Sequence, residues 1–345
     1  MNNILSKQTY ILKFYAICLV ALVHSYFKAI DINSLVFVLT KISCVGVFIF
    51  FILSGYFFHP KKGFWKKKLL AIIVPWCICA IIMYGYQCFH HNQIFTAKGV
   101  INYFVGNGSF LYFLSMLMAC YGLCYFYKKF FWIIFCFMGA TVISVFLTSL
   151  DILPHSVFSQ RWFFTYLNPY LNVFNWIGFF SIGILIQQTD KLGQLFQISR
   201  KYWYFLLLLY SLILFISYQY EYGFVYWTSL AIPNILLVTL IFMALAQIPL
   251  YRLKYLELVC VKMGAITLPI YMYHETIINK ILVWPAWLRG NIVAALARPC
   301  LCVLIIGFCC YLGAWGLGKL SPKLAYIYSI FWGLNSSLNK KEKTL

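Results

Sequence analysis

Lys13 and His24 stand eleven positions apart in the apolar stretch KFYAICLVALVHSY (13–26), and no charge separates them. An ionisable side chain at the centre of a membrane helix costs about 2.5–3.5 kcal/mol on insertion scales, so it usually serves a purpose. On a helix, eleven steps of about 100° return to the same face, and a rise of about 1.5 Å per residue separates the two groups by roughly 16 Å. A neutral imidazole takes up a proton near neutral pH, and an ammonium binds phosphate as a point charge. One stripe of one helix thus suits a donor whose anionic head meets Lys13 and whose reactive end reaches His24. The plainer reading is a lysine snorkelling to the interface and a histidine bridging two helices.

A second titratable pair, His274 and Glu275, interrupts the apolar segment PIYMYHETII (269–278). Adjacent helical residues point about 100° apart, so the two do not face each other, and at least one should meet a polar interior. Pro269 can free a backbone carbonyl that neighbours must satisfy. Lys41 and Lys280 are the other ionisable residues within the apolar runs.

The elements that position these groups follow from composition. The 345 residues are 63% hydrophobic and only 10% charged, with 33 Phe, 27 Tyr and 11 Trp. Soluble domains average about 25% charged residues, so this is an all-α, polytopic membrane protein by expectation. About 20 apolar residues cross a ~30 Å hydrocarbon layer. The sequence predicts ten spans near 10–30, 35–58, 69–89, 108–127, 130–150, 171–187, 202–219, 228–248, 264–288 and 297–319, forming one membrane domain with no separate soluble one. An even number of spans places both termini on one side.

Most of the 27 Lys and Arg fall in the tails and in loops after even-numbered spans, among them Lys61, Lys62, Lys66, Lys67 and Lys68. The opposite loops hold Lys28, Lys98, Arg161, Arg289 and Arg298. The positive-inside rule then predicts cytoplasmic termini. The net charge of +20 reads as topology signals and contacts with anionic lipid heads, because it is split among short loops rather than gathered on a nucleic-acid-binding face. Most of the 13 cysteines sit in apolar runs and act as small hydrophobes. No Cys-x2-Cys pair has a downstream ligand pair, so no metal site is expected. The first apolar run lacks a small-x-small exit and reads as an uncleaved span.

Taken together, several segments resemble the membrane-bound acyltransferase-3 family. Lys13 and His24 match its first-span signature of Arg or Lys, ten residues, then His. VFIFFILSGYFF (47–58) is similar to its aromatic helix end and includes Ser54 and Gly55; Lys66 to Lys68 and LLAIIVPW (69–76) resemble its basic approach to span 3. GSFLYFLSML (108–117) resembles another segment, with Tyr112 where Trp is usual, and FFSIGILI (179–186) and LPIYMYHETII (268–278) look like two more. Lys13 stands where Arg is commoner, which keeps the charge and loses the bidentate fork.

The resemblance implies an O-acyltransferase of the bacterial inner membrane. It would move acyl, most often acetyl from acetyl-coenzyme A as a substrate rather than a bound cofactor, to a hydroxyl of a carbohydrate or lipid-linked glycan. Lipopolysaccharide, capsule and exopolysaccharide are all open as acceptors. His24 is the candidate catalytic group, either as general base or as a transient acyl carrier. Lys13, Lys66, Lys67 and Lys68 are candidates for the donor phosphates, and Ser54, Tyr112, His274 and Glu275 for substrate contacts. Ser54 and Gly55 equally suit close helix packing. A glycan-lipid flippase or a polysaccharide polymerase, without acyl transfer, is the alternative class.

Overall fold

The computed structural model describes residues 3–26, 34–107, 109–149, 170–220, 228, 230–248, 254–282 and 292–334, and among them no residue is in a strand. Helix α1 (Asn3–Tyr26) is followed by α2 (Ser34–Ser43) and α3 (Val45–Tyr56). These two run nearly as one rod, since the Cys44 N–H still reaches the Thr40 carbonyl at 3.0 Å. Next come α4 (Phe64–Lys68), a π-helical turn over Leu69–Ile73, and α5 (Val74–His90), which together make one apolar length. Outside it lies a short helix, α6 (Ala97–Val105). Thr96 caps that helix by accepting from the Gly99 N–H at 3.1 Å, as an N-cap hydroxyl does.

The middle of the chain forms α7 (Tyr112–Leu123), α8 (Ile133–Ser149), α9 (Phe174–Gln188), α10 (Leu192–Lys201), α11 (Trp203–Tyr220) and α12 (Ala231–Leu245). The last part forms α13 (Lys254–Ala265), α14 (Thr267–Thr276) with a π-helical turn at Ile277–Ile281, α15 (Ile292–Leu320) and α16 (Pro322–Phe331).

Each of the ten expected apolar runs contains a helix, but not each holds a full crossing. Four helical stretches are long and apolar enough to span a membrane: Leu5–Ser25, Val36–Tyr56, Phe64–His90 and Leu296–Leu320. Two more crossings arise if the bent pairs α10–α11 (80°) and α13–α14 (85°) each count as one span. The 12 residues of α7 extend only about 18 Å at 1.5 Å per residue, short of the ~30 Å layer. The count of ten complete spans thus goes further than the helix lengths do. The expected end of the ninth span, 283–288, lies outside the described residues. The chain between the eighth and ninth runs is itself helical in α13, where a loop was expected.

Helix α1 is the hub, packed against α3, α13, α14 and α15. Its middle is fully buried at Ala16 and Ile17. The tightest contact elsewhere joins α3 to α9. A Cβ on Gly55 would collide with the Phe180 backbone, and one on Gly183 with the Ile52 carbonyl, so only glycine permits this approach. Gly55 is therefore a packing residue, one of the two roles its sequence allowed. Gln187 closes the same pair by donating from Nε2 to the Tyr56 carbonyl at 2.8 Å.

Candidate active site

The two ends of the α1 stripe carry different surroundings. At the Lys13 end the chain supplies aromatic faces and a second cation. Lys13 Nζ lies 4.7 Å from the Phe57 ring centroid and 5.4 Å from that of Tyr10, within cation–π range. Lys68 is within electrostatic reach of Lys13, and its Nζ donates to the Tyr121 hydroxyl at 3.1 Å. Two ammonium groups within electrostatic reach repel each other, and an anion bound to both would relieve that repulsion. Lys66 and Lys67 are exposed and stand apart from this pair. Ser54 is half-buried on α3, ten residues beyond Cys44. That is about 15 Å along the helix, which places it toward Lys13 rather than His24.

At the other end, His24 borders a small cavity of about 20 Å³. Its walls come from four parts of the chain: Val20 and Val23 on α1, Ser43, Cys44 and Val47 at the α2–α3 join, Phe110 and Tyr112 at the start of α7, and Tyr271 on α14. The volume is room for about one water, far below the ~300–1,000 Å³ usual for small-molecule pockets, so reacting ends can enter only as its walls part. Tyr112 is backed by Trp176, with ring centroids 5.7 Å apart, and Trp176 stacks on Phe48 at 4.9 Å. An aromatic wall thus stands where the family's tryptophan was expected.

His274 does not line the cavity. It is fully buried and lies behind His24, with ring centroids 4.9 Å apart and planes at 65°. Its ring thus touches the other histidine. Its Nδ1 lies 2.6 Å from the Tyr271 carbonyl, and its Nε2 has no hydrogen-bond partner among the described residues. Such an acceptor, buried without a partner, costs about 1–3 kcal/mol. Glu275 is half-buried and within electrostatic reach of Tyr103 and of the cavity-wall Tyr271.

Arg298 was counted as an outer-loop charge, and that expectation fails. Its residue is part of α15, and its side chain is buried. Nη1 donates to the Ser25 carbonyl at 3.1 Å and Nη2 to the Ile278 carbonyl at 2.7 Å. The first is an orphan carbonyl at the end of α1, the second belongs to the π-helical turn after α14. A planar fork satisfies both at once, and a cation suits the negative end of α1. Nothing local distinguishes this arginine from a topology signal, which is why the sequence hid it. Tyr271 was more accessible: it sits three residues before His274 in the segment already singled out, one helical turn away. Lys28, Arg161 and Arg289 lie outside the described residues, as does the side chain of Lys280. Among the described residues no group of three or more His, Cys, Asp or Glu could hold a metal.

No curated protein and no solved structure matches the chain. A family model does: the sequence matches an acyltransferase domain over residues 11–314, the bulk of the chain. That match takes in both ends of the α1 stripe, the cavity walls and Arg298. Together with its long apolar helices, it makes the chain a multi-pass membrane protein and an O-acyltransferase of the acyltransferase-3 family.

Proposed function

We propose that the protein transfers acetyl from acetyl-coenzyme A to a hydroxyl of a bacterial cell-surface or exported carbohydrate, at the inner membrane and with cytoplasmic termini. The observation that carries this reading is the placement of His24 in a small cavity at one end of α1, with Lys13 and Lys68 paired at the other. With the N-terminus inside, the paired cations face the cytoplasm, where the donor is made. Its phosphates rest on Lys13 and Lys68, and its arm runs along α1 to present the thioester at His24.

His24 is the general base. Its free nitrogen takes the proton from the acceptor hydroxyl as the oxygen bonds to the acetyl carbonyl carbon. The carbon–sulfur bond then breaks, coenzyme A leaves as thiolate, and the imidazolium returns its proton to that sulfur. Ester and free thiol are the products. A space with room for about one water limits access of the competing nucleophile. Exposed Lys66 and Lys67 act on insertion and lipid contact rather than on the donor.

The test uses inverted vesicles of the host membrane that contain the full chain and its native glycan lipids, fed radiolabelled acetyl-coenzyme A. Base-labile label in the glycan fraction is the expected outcome. Vesicles with abundant inserted protein and no such label would remove the acetyl-to-glycan reading.

A further inference from the structure

The cavity accounts for His24 but not for the histidine behind it. His274 Nδ1 sits 2.6 Å from the Tyr271 carbonyl. A carbonyl can only accept, so Nδ1 carries the hydrogen and Nε2 presents a bare lone pair. A second proton on Nε2 would bury an unpaired charge as well as an unpaired N–H. The lone pair points into a shell with few donors. Phe110, with its ring centroid 5.2 Å away, has none. The Tyr271 hydroxyl is engaged by the Phe110 carbonyl. The Cys302 thiol, 3.6 Å from the His274 backbone carbonyl, donates there rather than to the ring. Among these ring neighbours His24 is the one with an N–H to give; the nearby Arg298, held through both Nη groups on the Ser25 and Ile278 carbonyls, keeps its Nε–H without a partner among the described residues.

We propose that His274 is the positioning residue of His24: its Nε2 accepts the N–H of one His24 nitrogen and so turns the other, unprotonated, toward the cavity. This rests on the reading of His24 as the base. A neutral imidazole carries one ring hydrogen, so fixing it on the nitrogen that faces His274 leaves the lone pair on the nitrogen that faces substrate. Rings with centroids 4.9 Å apart are close enough for two nitrogens that face each other to reach hydrogen-bond length. Catalytic hydrogen bonds often tighten in this way only when substrate arrives.

Backbone clamping supports the pair. Arg298 holds the carbonyl one residue after His24 and the carbonyl four residues after His274, tying the two helices at the level of the rings. When His24 accepts the hydroxyl proton, its second N–H stays paired with His274 Nε2. The new positive charge thus forms beside a waiting acceptor, as the third member of a catalytic triad provides.

Three variants of the full chain test the proposal in the acetyl-coenzyme A vesicle assay, with inserted protein quantified for each. His274→Leu is expected to lower kcat about 10²–10⁴-fold with KM for acetyl-coenzyme A unchanged. His274→Gln keeps a side-chain carbonyl that accepts the same N–H, and is expected to restore kcat to within about tenfold of the parent. In a His24→Gln background, adding His274→Leu should cost nothing further, because two groups that act as a unit are not additive. Equal losses for Gln and Leu in normally inserted protein would overturn the proposal, as would a loss confined to KM or full additivity in the double variant. Normal activity of His24→Gln alone would instead overturn the reading of His24 as base, so the two failures are told apart.

Discussion

The Lys13 end and the His24 end of α1 are built on opposite principles. At the first, two half-buried cations lie near each other, and the aromatic faces beside Lys13 stand at 4.7 Å and 5.4 Å. At the second, polar atoms are withdrawn from solvent and their partners lie inside the protein, as those of the two Arg298 Nη groups and His274 Nδ1 do, while Arg298 Nε and His274 Nε2 are left unpaired among the described residues. A half-buried charge that keeps some contact with water contributes modestly, whereas a buried group left unpaired is costly. The difference predicts graded effects at the basic end and steep ones at the histidine end.

The steepest concerns His24→Gln, which keeps polarity and much of the volume but cannot take a proton near neutral pH. Acyl transfer should fall about 10²–10⁴-fold with inserted protein unchanged. A drop matching one interhelical hydrogen bond of about 0.6 kcal/mol, under threefold, would reduce His24 to packing and erase the contrast.

An intermediate effect is expected from Lys13→Ala and Lys68→Ala. Hydrogen bonds to charged groups contribute about 1.5–3 kcal/mol, which corresponds to a rise of roughly 10–100-fold in KM for acetyl-coenzyme A. Lys13→Arg keeps the cation and should stay near the parent. If kcat rather than KM moves, the basic end takes part in chemistry and the division between the two ends dissolves.

The smallest effect belongs to Lys66→Gln with Lys67→Gln. Both side chains are exposed and away from the Lys13–Lys68 pair, so KM should change less than about threefold. Insertion is measured alongside, since these lysines read as topology signals. A change as large as that of Lys68→Ala would show the whole basic run, rather than one lysine of it, to be the donor site.

The family motifs divide along the same line. In FFILSG, the sequence allowed Gly55 to be either a site residue or a packing residue, and the α3–α9 approach decides for packing. Of Lys66, Lys67 and Lys68, only the last turns toward α1. Three consecutive helical residues cover most of a turn, and the direction of each depends on how α4 is docked.

What the sequence by itself determined was everything local. Apolar runs made the chain helical and membrane-bound, and eleven-residue spacing put Lys13 and His24 on one stripe, because helix periodicity is fixed by bonds between near neighbours. Tertiary structure alone decided that His274 stands behind His24 instead of lining its cavity, and that Arg298 leaves its expected loop for two helix carbonyls. These contacts join residues 250 and 273 positions apart, and no local periodicity carries across such a gap. Only the packing of α14 and α15 around α1 determines which buried atoms are left to pair.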